Sequence, residues 1–370
     1  MMQRWIMNKS KQPNKADELS NKINEKFELL AKNLDSKQTE KEIKNYLQFA
    51  GKFHNYSLRN QMLIADEAMS RGTNVEHVAS FKTWNELKNS DGKKVSVKKG
   101  EKGYSILVPV SYTKYELDEN RKYKLDTEGK KIPKRDERGN IEKGLKFKAG
   151  TVFDVNQTTA KEIGAYKTLD YRAKVAVDES LFQKLSDEIS QKFNVNVSHE
   201  PTGNSSKGYY SYDENKIVVD PSYSTSEKIS TLFHELGHHQ IHGKQFKDGT
   251  LNYDNLHKDR GAREGEAEAF SYILSSMSGI ENKSELYIKT WGNDAKNLKE
   301  RFSLITSAAK EAIQKLDLQK ILSKEQQKVT AKEATKPKEK LKQELQKIKQ
   351  DKTAQKAAQR TKQNTVEMER

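Results

Sequence analysis

The sequence predicts an α+β protein built as two domains with a polar extension. Three observations carry that expectation. At 370 residues the chain is too long for one small core and long enough for two domains. Helical spacing in the first 70 residues gives way to an alternating texture rich in Val, Ile and Tyr, and later returns. Apolar residues make up only 33%, so part of the chain is expected to lie outside any core, and the Lys, Gln, Glu and Ala run after Lys324 is the obvious part.

Residues 1–15 read as a polar, flexible leader. Leu19, Ile23, Phe27, Leu30 and Leu34 share one face of a helix over 16–34. Ile43, Leu47 and Ala50 do the same over 37–51, and Leu58, Met62, Ala65 and Met69 over 57–70, where Gly72 ends the run. "KKVSVKKGEKGYSILVPVSY" at 93–112 reads as two strands, with Gly100 and Gly103 as turn residues. The charged stretch 113–146 reads as a long exposed hairpin or insertion, and "KFKAGTVFDVNQT" at 146–158 as a returning strand. The first domain is expected to span 16–165.

A second domain over 166–318 should open with a helix at 178–193 and the short strand "FNVNVSHE". A hairpin, "GYYSYDENKIVVD", follows, turning at Asp213, Glu214 and Asn215. Helices are expected around Ile229–Leu236, at 262–278 and over 284–318, and a partly helical tail over 319–370. No internal repeat is evident.

Lys and Arg outnumber Asp and Glu by 68 to 53, a net charge of +15 that suits a polyanionic partner as well as solvated Lys-rich faces. There is no cysteine, which excludes disulfides, thiolate metal sites and cysteine nucleophiles. No stretch has the form of a signal peptide or a membrane span, so the expected location is the cytoplasm.

The chemistry concentrates in "ISTLFHELGHHQIHG", residues 229–243. His234, Glu235 and His238 make H-E-x-x-H. Positions i and i+4 share a helix face, so both imidazoles can reach one ion, with the glutamate beside the open coordination position. Ser224 and Glu227 have capping-box spacing, and Ile229, Leu232, Phe233 and Leu236 supply the packing stripe. A catalytic Zn2+ needs a third protein ligand. His239 points away, His242 requires the helix to end early, and His257 is a further histidine. The favoured source is "REGEAEAF" at 263–270. Glu266 lies on the apolar stripe of Phe270, Ile273, Leu274 and Met277, and a buried carboxylate must be paired or metal-bound. Glu268 is the alternate ligand, and with Glu264 suits a role orienting a ligand histidine.

The blocks "YSLRNQMLIADEA", "FKTWNELK", "VKKGEKGYSILVPV" and "TVFDVNQT" resemble the N-terminal domain of ArdC-like antirestriction proteins. "TLFHELGHH", "REGEAEAFSYIL" and "YIKTWGNDAKNL" resemble the zincin-type metallopeptidase domain that follows it. The resemblance spans about 40–315. It implies a single-stranded DNA-binding domain followed by a zinc hydrolase. It also implies carriage on plasmids and other mobile genetic elements, and protection of incoming DNA from restriction. "EAEAF" is similar to regulator-cleaving peptidases in which a Glu followed by Ala is the third ligand, which favours Glu266. A thermolysin-like alignment of "EAFS" favours Glu268. For single-stranded DNA the N-terminal candidates are Tyr56, Arg59, Asn60, Lys82, Trp84, Lys98, Lys99 and Lys102, since binding needs cations for phosphate and flat rings for bases.

Overall fold

The computed structural model describes residues 14–166, 177–203, 206–280, 288–292 and 294–327. Nearly all of the expected leader, and the tail beyond 327, lie outside these residues.

Three amphipathic helices open the described chain: α1 (Lys15–Lys32), α2 (Lys37–Lys52) and α3 (Leu58–Arg71). Each starts on a side-chain cap, from Asn14, Ser36 and Ser57, that satisfies backbone N–H groups left open by the first turn. Gly72, at φ 62°, closes α3 in the left-handed region that a glycine enters without strain. Met69, expected on the buried face, is instead 38% exposed, where the end of α3 leaves the core.

A three-stranded antiparallel sheet follows in the order β1 (Val78–Ser80), β3 (Lys143–Asp154), β2 (Tyr104–Thr113). A short helix, α4 (Phe81–Glu86), sits between β1 and β2. The second expected strand before Gly100 is reduced to single bridges, Lys88 to Lys94 and Val97 to Thr158. β2 is an edge strand, and α3 covers its free edge with one stripe of side chains. Asn60 donates to the Leu107 carbonyl at 2.9 Å and accepts its N–H at 2.8 Å. Glu67 takes the Ser105 N–H at 2.9 Å, and Arg71 donates to the Gly103 carbonyl at 2.8 Å. Capping an edge this way removes a template for unwanted strand pairing.

Between β2 and β3 the expected single hairpin is three tight ones. In each, an aspartate (Asp118, Asp126, Asp136) accepts the N–H groups two and four residues on, at 2.8–2.9 Å. The residue three on adopts positive φ: Arg121, Gly129 and Gly139. Asn89, with Gly92, builds the same turn earlier in the chain. The backbones close into two rings of three hydrogen bonds, one through Glu116, Ile132 and Lys124, the other through Lys114, Glu142 and Lys134. The repeat in the sequence is therefore Asp/Asn-x-x-Gly (Arg once), too short and too unevenly spaced to stand out as a repeat by eye.

The second half comprises α5 (Glu179–Phe193) and a mixed sheet in the order β4 (Asn196–His199), β6 (Lys216–Val219), β5 (Gly208–Ser211). Then come α6 (Thr225–Gly237), a single π-helical turn at His238–His242, α7 (Gly243–Lys247), α8 (Arg260–Met277) and α9 (Ala295–Leu316). Helix continues over 318–327 with Leu318, Ile321 and Leu322 buried, so the packed body runs past the point at which the tail was expected to begin.

The two halves share one core. Phe27 of α1 meets Phe302 of α9 edge-on at 5.9 Å, each ring fully buried. α2 crosses α8 at Gly51, where an added Cβ would stand 2.9 Å from Met277 and 3.1 Å from the Ile273 carbonyl. α8 is thus clamped on one side by α2 and on the other by α6, which holds its acidic first turns in place.

Candidate metal centre and nucleic-acid face

Helix α6 starts on the expected capping box: Glu227 accepts the Ser224 hydroxyl at 2.7 Å and its backbone N–H at 3.3 Å. Ile229, Leu232, Phe233 and Leu236 are fully buried on one face. The adjacent face presents His234 and His238, whose Nε2 atoms lie 3.2 Å apart. Gly237 lets α8 approach, since a Cβ there would sit 3.1 Å from the Ala267 backbone.

That approach selects the carboxylates. Glu264 places Oε2 at 3.4 Å from His234 Nε2 and 3.5 Å from His238 Nε2. These three atoms form the one compact His/Glu group among the described residues. Glu268 instead accepts from or faces His234 Nδ1 at 3.1 Å, on the far side of that ring. Glu266, favoured from the sequence, is buried as expected but points elsewhere, to His242 Nε2 at 2.9 Å and to the Arg301 guanidinium. A buried Glu266 needs a partner, and Arg301, nearly two turns into α9, is one that local periodicity does not reveal. His239 packs edge-on against Tyr210 and Phe193, away from the group. His257 lines the cleft from an exposed loop.

The three donor atoms fit a tetrahedral ion. Ligands about 2.05 Å from such an ion stand about 3.3 Å from one another. An octahedral site of about the same radius brings neighbouring ligands to about 2.9 Å. The observed edges are 3.2, 3.4 and 3.5 Å.

Electrostatics agree with a site built for positive charge. Burial lowers the His234 pKa, but the Glu264 and Glu268 carboxylates outweigh it and hold the imidazole up to about 10. Burial takes His238 down to about 4, leaving it neutral and able to donate a lone pair. Hydrogen bonds from both histidines hold Glu264 far below the usual carboxylate range. Glu235 is 6% exposed, and burial pushes its carboxyl up to about 7. The group opens on a cleft of about 1180 Å³ whose wall includes Tyr209, Tyr212, Thr231 and Arg260. One side of this cleft is β5, the edge strand of its sheet.

In the N-terminal half the expected nucleic-acid residues divide. Trp84 is 2% exposed and donates to the Phe153 carbonyl at 2.8 Å, so its ring has no free face for a base. Asn60 is spent on the β2 edge, and the Tyr56 hydroxyl donates to the Val78 carbonyl at 2.9 Å. Trp84 and Asn60 are buried where packing uses their polar groups, whereas the Tyr56 ring stays partly exposed. Lys82, Lys99 and Lys102 are exposed. Lys98 pairs with Glu162 at 2.7 Å, and the Arg59 guanidinium lies 5.8 Å from the Phe147 ring. Exposed rings do occur, on the sheet rather than the helices: Tyr112 at 43%, with Lys146 5.6 Å from its ring, and Phe147 at 40%. The aromatic residues of the alternating stretches 104–113 and 143–154 are the sequence signal for these rings.

No helix among the described residues is long and apolar enough to cross a membrane. The model for the N-terminal domain of anti-restriction factor ArdC matches residues 13–153, and the peptidase M78 model, the IrrE N-terminal-like domain, matches 190–314. No curated protein matches. Among solved structures, the crystal structure of the antirestriction ArdC protein from the R388 plasmid in its metal-free form is 20% identical. It aligns over 73% of this chain and 86% of that one with a TM-score of 0.40. The Mn(II)-bound form is 19% identical over 73% and 85%, with a TM-score of 0.38. With an ArdC N-terminal domain leading into an IrrE-like domain, the chain is an ArdC-like protein of the antirestriction family.

Proposed function

We propose that the protein is a zinc-dependent metallopeptidase of antirestriction type. In this reading an N-terminal unit, to about residue 165, binds single-stranded DNA and brings the hydrolase to proteins met on incoming mobile-element DNA. The observation that carries it is the triangle of His234, His238 and Glu264 at tetrahedral spacing with Glu235 beside it. His234 Nε2, His238 Nε2 and Glu264 Oε2 would hold the ion. A structural zinc site has no use for a fourth, buried and non-ligating carboxylate, so Glu235 favours catalysis.

When bound, zinc supplies Lewis acidity that polarises a carbonyl and acidifies water. Glu235 then takes a proton from the attacking water and passes it to the departing amine. Burial favours the protonated form of Glu235 and a neighbouring cation would favour the ionised one, so the carboxyl can both take up and release the proton. Glu268 orients the His234 ring through Nδ1. An extended peptide can lie along the edge of β5 and cross the cleft, with backbone hydrogen bonds holding it in register. Support for the DNA half comes from the exposed cations Lys82, Lys99 and Lys102 and from rings beside cations at Tyr112 and Phe147.

The test pairs wild type with Glu235→Ala, each incubated with DNA-bound protein, with and without single-stranded DNA. Hydrolysis should fall about 10²–10⁴-fold in the variant while bound zinc stays stoichiometric. Retained cleavage removes Glu235 as the base, and protection of DNA by an uncleaving variant removes hydrolysis from the function.

A further inference from the structure

We propose that His242, Glu266 and Arg301 form a positioning relay that sets the tautomer and orientation of His238 as a metal ligand. The proposal rests on the metal-centre reading above.

His238 turns Nε2 toward His234 and Glu264, so an ion held there leaves the imidazole proton on Nδ1. That nitrogen is 2.9 Å from His242 Nδ1. Two N–H groups cannot face each other at that distance, so His242 Nδ1 accepts and its own proton lies on Nε2. His242 Nε2 is 2.9 Å from Glu266 Oε2, which accepts. The other carboxylate oxygen takes the Arg301 guanidinium, whose Nε also donates to the Trp291 carbonyl at 3.1 Å. Every role in the chain thus follows from the single choice of Nε2 as the metal-facing atom of His238.

Burial makes the choice firm. His242 is fully buried and Glu266 is 4% exposed, so water cannot substitute for a missing partner. The Gly243 N–H donates to the His238 carbonyl in a π-helical turn, and His242, four residues on from His238, stays on the same side of the helix. The two ligand histidines are then supported unequally: His234 meets a carboxylate directly at 3.1 Å, whereas His238 reaches one through a second imidazole.

Two substitutions separate the relay from simple packing. His242→Asn keeps an oxygen acceptor where Nδ1 was and leaves a void where the rest of the ring stood. His242→Phe fills the volume and removes the acceptor. Zn2+ affinity is measured on the full chain by competition with a chromogenic chelator, with circular dichroism confirming the fold. The relay predicts a loss of about 10–100-fold for His242→Phe and only a few-fold change for His242→Asn. The opposite order, or equal affinities, overturns it. Should His242→Phe not fold, ring ¹⁵N spectra of the zinc-loaded wild type decide. A proton on His242 Nε2 supports the relay and one on His242 Nδ1 overturns it. Wild type that binds no zinc defeats the metal-centre reading itself, whereas tight wild-type binding with unaffected variants defeats only the relay.

Discussion

The first turns of α8 and the hairpins between β2 and β3 are both crowded with charge, yet they use it in opposite ways. In the hairpins, Glu142 faces Lys114 at 3.3 Å and Lys134 at 3.1 Å, with the lysines about half exposed. Such pairs are screened by solvent and add little to stability. At the α6–α8 contact each carboxylate has a separate task, with the Glu266 and Glu268 side chains 5% and 13% exposed and Glu264 reaching into the cleft at 42%. Glu264 faces both Nε2 atoms, Glu268 faces Nδ1 of His234, and Glu266 pairs with His242 and Arg301. Two largely buried imidazoles, rather than the number of charges, turn this cluster into a site, because a desolvated polar group must find a specific partner.

The largest effect is expected on removing Glu264. Glu264→Ala should lower zinc affinity by more than the roughly 100-fold that bounds the loss of an outer partner. Glu266→Ala should lower it less, and the reverse order, read by chelator competition, would return the ligand role to Glu266.

A pH series comes next. His234 is held up to about 10 in the metal-free protein, so the ion must displace its proton at neutral pH. The folded pKa is raised, so the protonated pairing with Glu264 and Glu268 is intact at neutral pH and fades only as pH climbs toward 10. Zinc affinity should accordingly rise about tenfold per pH unit between pH 7 and 9. A plateau just above the ordinary histidine range would show that the carboxylates do not hold that proton.

Away from the metal centre, Asn60→Ala should cost about 1–3 kcal/mol in a denaturant melt, since it strands the N–H and carbonyl of Leu107 in a buried setting. An unchanged midpoint would mean water reaches that edge. The smallest effect belongs to the hairpins: Lys134→Ala should leave the midpoint within measurement error, and a clear loss would contradict the view of these pairs as solvent-screened.

Much of the architecture could be read from local pattern. The capped helices, the α3 stop at Gly72, the β5–β6 hairpin and the apolar stripe of α6 all depend on groups a few residues apart, whose spacing the chain displays directly. The Asp/Asn-x-x-Gly turns are equally local but hard to see in the sequence, because their spacing is irregular and one copy carries Arg121 in place of glycine.

Local spacing alone was enough to put His234 and His238 on one helix face with Glu235 beside them, and to require that Glu266 be buried and partnered. Helical periodicity suffices for both. Only the tertiary structure decided which carboxylate the imidazoles meet. That choice depends on how far α8 slides along α6 at the Gly237–Ala267 contact, and on Arg301 arriving from α9 to take Glu266. The polar tips of Trp84 and Asn60 were likewise assigned by the sheet they touch. Periodicity orients a side chain about its own axis; which group stands opposite is set by packing between elements far apart in the chain.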